Sequence, residues 1–160
     1  KPGRHKLIGC LRRTQGLMVA RANPLHIHAL TDLPGSSARF INRQPGSGTR
    51  LLLDQLLQQH GLEPASIRGY AGHPEDSHVA VAAAIASGVG DVGPGIESAA
   101  QQFGLGFIPL VEEDYFLVCL KDALDHPAVL KLRAALESPA WAQALATLPG
   151  YEAAHGGEVL

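Results

Sequence analysis

The segment Arg43-Gln44-Pro45-Gly46-Ser47-Gly48-Thr49-Arg50 constrains the fold of this chain more than any other stretch. It joins a short apolar strand, Arg39 to Asn42, to a helix expected over Thr49 to His60. Leu51, Leu52, Leu53, Leu56 and Leu57 fall at helical spacing there, and Gly61 is a natural stop. A strand that turns through Pro-Gly-Ser-Gly into such a helix is a βα unit. The order recurs. Ile67 to Tyr70 reads as a strand, the turn Ala71-Gly72-His73-Pro74 follows, and a helix runs from His78 to Ser87, capped by Asp76 or Ser77 and ended by Gly88. Asp91-Val92-Gly93 reads as a strand and Ile96 to Phe103 as a third helix, stopped by Gly104. Alternating strands and helices place the chain in the α/β class with a mainly parallel sheet.

Around this core, Leu7 to Leu11 and Gly16 to Ala20 read as two strands separated by a polar break, Arg12-Arg13-Thr14-Gln15. Asn23-Pro24 signals a turn, and Ile27 to Leu33 a short helix or turn. Gly106 to Leu110 and Tyr115 to Leu120 read as two further strands. Asp125 is expected to cap a helix carrying Pro127 in its first turn, and Ser138-Pro139 to start another that stops at Pro149-Gly150. The last ten residues are expected to fray. A chain of 160 residues, 46% apolar, suffices for one domain or two small lobes with a real core. No apolar run approaches the roughly 20 residues that span a bilayer. The basic start is not followed by a signal-peptide pattern, and the chain reads as truncated. Cys10 and Cys119 sit in apolar strand-like runs, outside any C-x-x-C pair, and are expected as buried reduced thiols.

Charge is distributed unevenly. Residues 1–50 hold nine of the 13 Lys and Arg residues and one acid, Asp32, whereas residues 51–160 hold four bases and 14 acids. Such asymmetry favours an anionic partner for the first part. A nucleic-acid face is the competing reading, but the arginines are scattered, with no basic helix and no interleaved aromatic residues. The strand-to-helix loop suits a small anion better. Arg43 supplies a charge-assisted contact, Ser47 and Thr49 supply hydroxyls, and the N–H groups of Ser47, Gly48, Thr49 and Arg50 can converge at a helix start of positive potential. Asp76-Ser77-His78 opens the second helix in the same way, so Ser77 joins the candidates. Tyr70 and Tyr115 are further hydroxyl donors, although both also read as half-buried strand residues.

Other motifs lead nowhere. The loop lacks the spacing and lysine of a Walker loop, and Pro45 stands where a nucleophile elbow needs glycine. Gly88-Val89-Gly90-Asp91-Val92-Gly93 matches G-x-G-x-x-G, but it follows a helix and leads into a strand, the reverse of a dinucleotide site. The eight histidines include no H-E-x-x-H, so no metal site or cofactor is expected. No Ser–His–acid grouping or carboxylate pair sits on recognisable elements, and no enzymatic activity is expected.

Three stretches carry a family resemblance. Gln15-Gly16-Leu17-Met18-Val19-Ala20, Asn23-Pro24 and Leu30-Thr31-Asp32-Leu33 resemble the Gly-Leu, Asn-Pro and Leu-x-Asp-Leu stretch of type 2 periplasmic-binding-protein-like domains. Phe40-Ile41-Asn42-Arg43-Gln44-Pro45-Gly46-Ser47-Gly48-Thr49-Arg50 resembles the Asn-Arg-x-x-Gly-Ser-Gly-Thr-Arg signature of the molybdate- and tungstate-binding-like group. Phosphate- and tungstate-binding relatives share the Arg four residues before Ser-Gly-Thr. His78 to Gly88 with Asp91-Val92-Gly93 resembles the second-lobe helix and strand. The resemblance implies a single domain over 1–160 with hinge strands about 7–20 and 115–120, a second lobe about 21–114, C-terminal helices about 125–148, and an incomplete first lobe. It implies a domain that binds molybdate or tungstate and closes over it, with Arg43, Ser47, Gly48, Thr49 and Arg50 as candidate ligand residues; the helix start at Ser77 and the hydroxyl of Tyr115 are added to them from the residues themselves. Asp76 and His78 match no family motif. Such domains often accompany a helix-turn-helix or a molybdopterin-biosynthesis domain, which implies a cytoplasmic setting and transcription regulation. The alternatives are an effector domain for another small anion or organic acid, and a periplasmic transport receptor.

Overall fold

The computed structural model describes residues 3–160. The chain divides into two compact units, Gln15–Val111 and Lys1–Thr14 with Glu112–Leu160. Strands β1 (His5–Val19) and β3 (Gly106–Leu120) contribute residues to both.

In Gln15–Val111, β1 pairs antiparallel with β2 (Val92–Ile96), from Gln15 opposite Ile96 to Val19 opposite Val92. β1 is the sheet neighbour of both β2 and β3. Parallel pairing occurs as isolated bridges, Phe40 with Val92 and Arg43 with Glu75. The expected mainly parallel sheet is therefore corrected. Two of the stretches meant to build it never extend into strands. Ile67 to Tyr70 folds as turns, with Gly69 at φ +90° and the Tyr70 N–H bonded to the Ile67 carbonyl. A positive φ interrupts an extended run. Arg39 to Asn42 reaches β2 only briefly, and the Asp91 carboxylate accepts the Arg39 N–H at 2.8 Å in place of a longer ladder.

Helix α1 (Gly48–Gln59) buries Thr49, Leu53 and Leu57, one per turn on a single face. Leu53 and Leu57 join a core with Leu17, Val19, Leu33, Phe40, Ile67, Tyr70 and Val92. Helix α2 (His78–Ala86) buries Val81, Ala82 and Ile85 against Met18 and against Ala99 and Ala100 of α3 (Glu97–Gln102). Gly93 permits this close layering. A Cβ there would lie 2.4 Å from the Ile41 carbonyl oxygen and 2.7 Å from Val81.

The other unit holds α4 (Pro127–Leu136), α5 (Pro139–Ala146) and β4 (Tyr151–Glu152) with the outer halves of β1 and β3. The polar break expected at Arg12 to Gln15 is absent, because β1 is continuous. Arg12 pairs with Asp114 at 2.7 Å and Glu152 at 3.3 Å, and Arg13 pairs with Glu113. Likewise β3 runs unbroken where two strands were expected. The C-terminus is not frayed. β4 pairs antiparallel with β1, and Leu160 exchanges backbone hydrogen bonds with Leu7. His126, not Asp125, caps α4, its Nδ1 accepting the Ala128 N–H at 3.2 Å. Both cysteines are free and half-buried, and burial pushes the Cys10 thiol pKa up.

Candidate site at paired helix starts

Two helix beginnings are fastened together within Gln15–Val111. The Gln44 N–H donates to the Glu75 carbonyl at 3.0 Å, and the Glu75 N–H donates to the Asn42 carbonyl at 2.8 Å. From this bridge the chain reaches the α1 cap, Ser47, and the α2 cap, Ser77, within a few residues. Both serines cap alike. Ser47 Oγ accepts from the Arg50 N–H at 3.2 Å, and Ser77 Oγ accepts from the Ala80 N–H at 3.1 Å. A capping hydroxyl keeps its own O–H to donate. Each helix start carries the partial positive charge of its N-terminus, and the bridge ties together the two loops that lead into them.

Arg43 locks the pair. It is 8% exposed. Its Nη2 donates to the Asp76 carbonyl at 3.0 Å, and its Nη1 lies 3.3 Å from His78 Nδ1. Asn42, 1% exposed, sets the arginine's backbone. Its Oδ1 accepts the Arg43 N–H at 2.8 Å while its Nδ2 donates to the Tyr70 carbonyl at 3.0 Å. Buried polar groups held this way fix a loop's conformation.

The remaining sequence candidates divide. Gly48 is exposed, and Gly48 and Thr49 are the first helical residues, whose N–H groups precede the intrahelical ladder. The Ser47 N–H, by contrast, donates to the Gln44 carbonyl at 3.2 Å, and the Arg50 N–H is taken by Ser47 Oγ. Two of the four N–H groups expected to face an anion are therefore already bonded within the loop and the first turn. The Thr49 side chain is buried and lines a narrow crevice with Gln15, Gly16, Leu53 and Pro94. The Arg50 guanidinium bonds the Asp54 carboxylate at 3.1 Å and the Arg43 carbonyl at 3.4 Å, and lies 4.5 Å from the Tyr70 ring centre. Tyr70 is not a spare donor, since its hydroxyl donates to Asp54. Burial, and then the Asp54 carboxylate, raise its pKa. Tyr115 belongs to the other unit, where the Arg13 guanidinium lies 4.6 Å over its ring.

Sequence reasoning passed over Asn42 and His78 as site residues. Asn42 stood beside Arg43 in the quoted signature, which was the available signal. His78 had only its position at a helix start. The charge asymmetry also resolves differently from the expectation. Arg12, Arg13 and Arg39 from the basic stretch are spent on Asp114, Glu113 and Asp91 of the acidic one. The Arg39 side chain and backbone hold the Asp91 carboxyl below its ordinary pKa. Among the described residues, no group of three or more His, Cys, Asp or Glu is arranged to hold a metal ion, and no helix is long and apolar enough to cross a membrane.

A family model for the PBP superfamily domain matches residues 1–137. The uncharacterized protein YvgK of Bacillus subtilis (strain 168) is 37% identical over 154 residues, 96% of this chain and 49% of that protein, so the chain spans about half the length of that relative. An uncharacterized protein in the ferredoxin 2Fe-2S gene 5′ region of Clostridium pasteurianum is 33% identical over 111 residues, 69% of this chain and 97% of that protein. Three solved structures share the fold. The effector-binding domain of QuiR in complex with shikimate matches with TM-score 0.60 at 19% identity, covering 81% of this chain and 62% of its own. The regulatory domain of Synechocystis PCC6803 CcmR in complex with 2-PG matches with TM-score 0.62 at 19% identity, covering 82% and 65%. PEB3 with bound L-phospholactate matches with TM-score 0.62 at 14% identity, covering 91% and 68%. With the family model spanning most of the sequence and two relatives above 30% identity, the chain belongs to the PBP (periplasmic-binding-protein) superfamily and has its α/β fold.

Proposed function

We propose that this chain binds a small oxyanion, molybdate or tungstate, as a ligand-sensing or substrate-binding domain. The observation that carries the reading is the pairing of two serine-capped helix starts around Arg43. Helix N-termini attract anions through free N–H groups and the helix dipole, and two together suit a compact dianion. Arg43 sets the spacing of the pair, while Ser47, Ser77 and the N–H groups of Gly48 and Thr49 supply donors. Arg50 is given a supporting role, holding the carbonyl of Arg43. The choice of molybdate or tungstate follows from the Asn42 to Arg50 signature.

A second reading, an effector domain for a small organic acid, is favoured by the similar structures that hold shikimate, 2-PG and L-phospholactate. A phosphate or carboxylate group would take the same donors. Calorimetric titration with molybdate, tungstate, sulfate, phosphate and L-phospholactate separates the two. The first reading expects saturable binding of the metal oxyanions, and the second expects L-phospholactate to bind more tightly. Either way, Arg43→Ala with Ser47→Ala is expected to weaken binding at least about tenfold, through the loss of the Ser47 hydroxyl's hydrogen bond to the anion and of the spacing that Arg43 holds. Equal affinities in the wild type and a folded double variant would refute the site.

A further inference from the structure

We propose that the groove between Arg50 of α1 and residues 64–72 is a second binding site, for a small monocarboxylate that carries a compact apolar body. The groove holds 490 Å³, inside the roughly 300–1,000 Å³ of small-molecule sites. Pro64, Ala65, Tyr70 and Ala71 line it with largely apolar surface, and Arg50 and Arg68 are its two cations. It lies wholly within Gln15–Val111 and includes neither Ser47 nor Ser77.

The walls are set before a ligand arrives. Tyr70, 4% exposed, stacks on Phe40 with ring centres 5.5 Å apart, and its hydroxyl donates to Asp54. The Ile67 and Gly72 N–H groups are bonded to the Pro64 and Gly69 carbonyls, and the Phe40 N–H to the Arg68 carbonyl at 2.8 Å. Gly69, at φ +90°, lets this turn press on Phe40: a Cβ there would lie 2.6 Å from the Phe40 carbonyl oxygen. A wall already ordered lowers the cost of binding.

The two arginines differ in what they still offer. Arg50 gives Nε to Asp54 and Nη1 to the Arg43 carbonyl, so its charge is shared and it serves mainly as surface. Arg68 is exposed, and its one described hydrogen bond runs from Nη1 to the Ser37 carbonyl at 3.3 Å. That leaves its Nε–Nη2 edge, the same edge with which Arg39 holds the Asp91 carboxylate at 2.8 and 2.9 Å. Asp91 feels the Arg68 charge, but both its oxygens already accept from Arg39. One guanidinium edge beside apolar walls selects a single carboxylate on an apolar body. A compact dianion finds no second unshared cation, and Asp54 and Glu63, just before Pro64, weigh against it further.

The test uses the whole chain and follows backbone amides in nitrogen–proton correlation spectra as sodium benzoate, benzamide or sodium sulfate is added. Benzoate has charge and body, benzamide the body alone, and sulfate the charge alone. Benzoate is expected to give saturable shifts at Arg68, Gly69, Ala71 and Gly72 on one curve, with a dissociation constant of about 1 mM or below. Benzamide is expected to bind about tenfold more weakly or worse, and sulfate to give no saturable shift at these amides. Arg68→Gln, an exposed substitution, is expected to weaken benzoate about tenfold while Gly48 and Thr49 respond to molybdate as in the wild type. No saturable shift at the four amides, equal affinity for benzamide, or unchanged affinity in a folded Arg68→Gln overturns the proposal. Benzoate shifts confined to Gly48 and Thr49 overturn it too, in favour of the organic-acid reading of the helix starts. Benzoate bound in the groove of a chain that ignores molybdate would sink the oxyanion reading and uphold this one. The three probes on the wild type decide the matter even if the variant does not fold.

Discussion

The two compact units are stabilised differently. Among the described residues, the two buried apolar clusters lie within residues 15–111. The other unit fully buries Ile8, Leu136 and Leu145 but leaves Val118 63% exposed and Leu130 46% exposed, with Leu120, Leu132 and Leu148 also in solvent. It relies instead on polar ties. Arg12 and Arg13 pair with acids of β3 and β4, Trp141 Nε1 donates to the Cys10 carbonyl at 3.0 Å, and Arg133 Nε donates to the Gly157 carbonyl at 3.0 Å. Exposed ion pairs contribute little, whereas each buried Leu contributes about 1.5–3 kcal/mol. The candidate anion site is therefore carried by the unit that has its own core, which is what a preorganised site needs.

The largest effect that breaks or upholds this contrast is a pair of truncations. Leu57→Ala, at a residue 1% exposed in α1, is expected to lower unfolding free energy by about 2–5 kcal/mol. Leu130→Ala in α4 is expected to cost about 0.5 kcal/mol or less. Urea denaturation measures both, and equal losses would dissolve the distinction.

A smaller effect sharpens it. Ser47→Ala, Ser77→Ala and Ser138→Ala each remove a cap whose oxygen accepts a backbone N–H. Each is expected to cost about 1 kcal/mol of stability. Only the first two, at the paired helix starts, are expected to weaken anion binding as well. Weakened binding in Ser138→Ala would mean that cap loss acts through general destabilisation rather than through the site.

Local features were legible in the sequence and distant ones were not. α1 and α2 begin and end within a residue or so of where Ser47, Ser77, Gly61 and Gly88 put them, because caps and stops act over a few residues. The continuity of β1 through Arg12 and Arg13 was hidden, because their partners stand about a hundred residues away. β4 was missed for the same reason: two residues become a strand only beside β1. At the candidate site, the two helix starts were readable from the Ser-Gly-Thr loop and from Asp76-Ser77-His78, and Ser47 and Ser77 do cap them. The tie from Arg43 to Asp76 and His78 was not, since it forms only when two loops more than thirty residues apart are bridged.

The central claim is that the two helix starts grip one anion, and the backbone amides themselves report on it. Nitrogen–proton correlation spectra recorded during addition of molybdate are expected to show saturable shifts, largest at Gly48, Thr49, His78 and Val79, with all four following one binding curve. Shifts that saturate elsewhere while these four amides stay still, or no saturable response to any anion of the panel, would contradict the account.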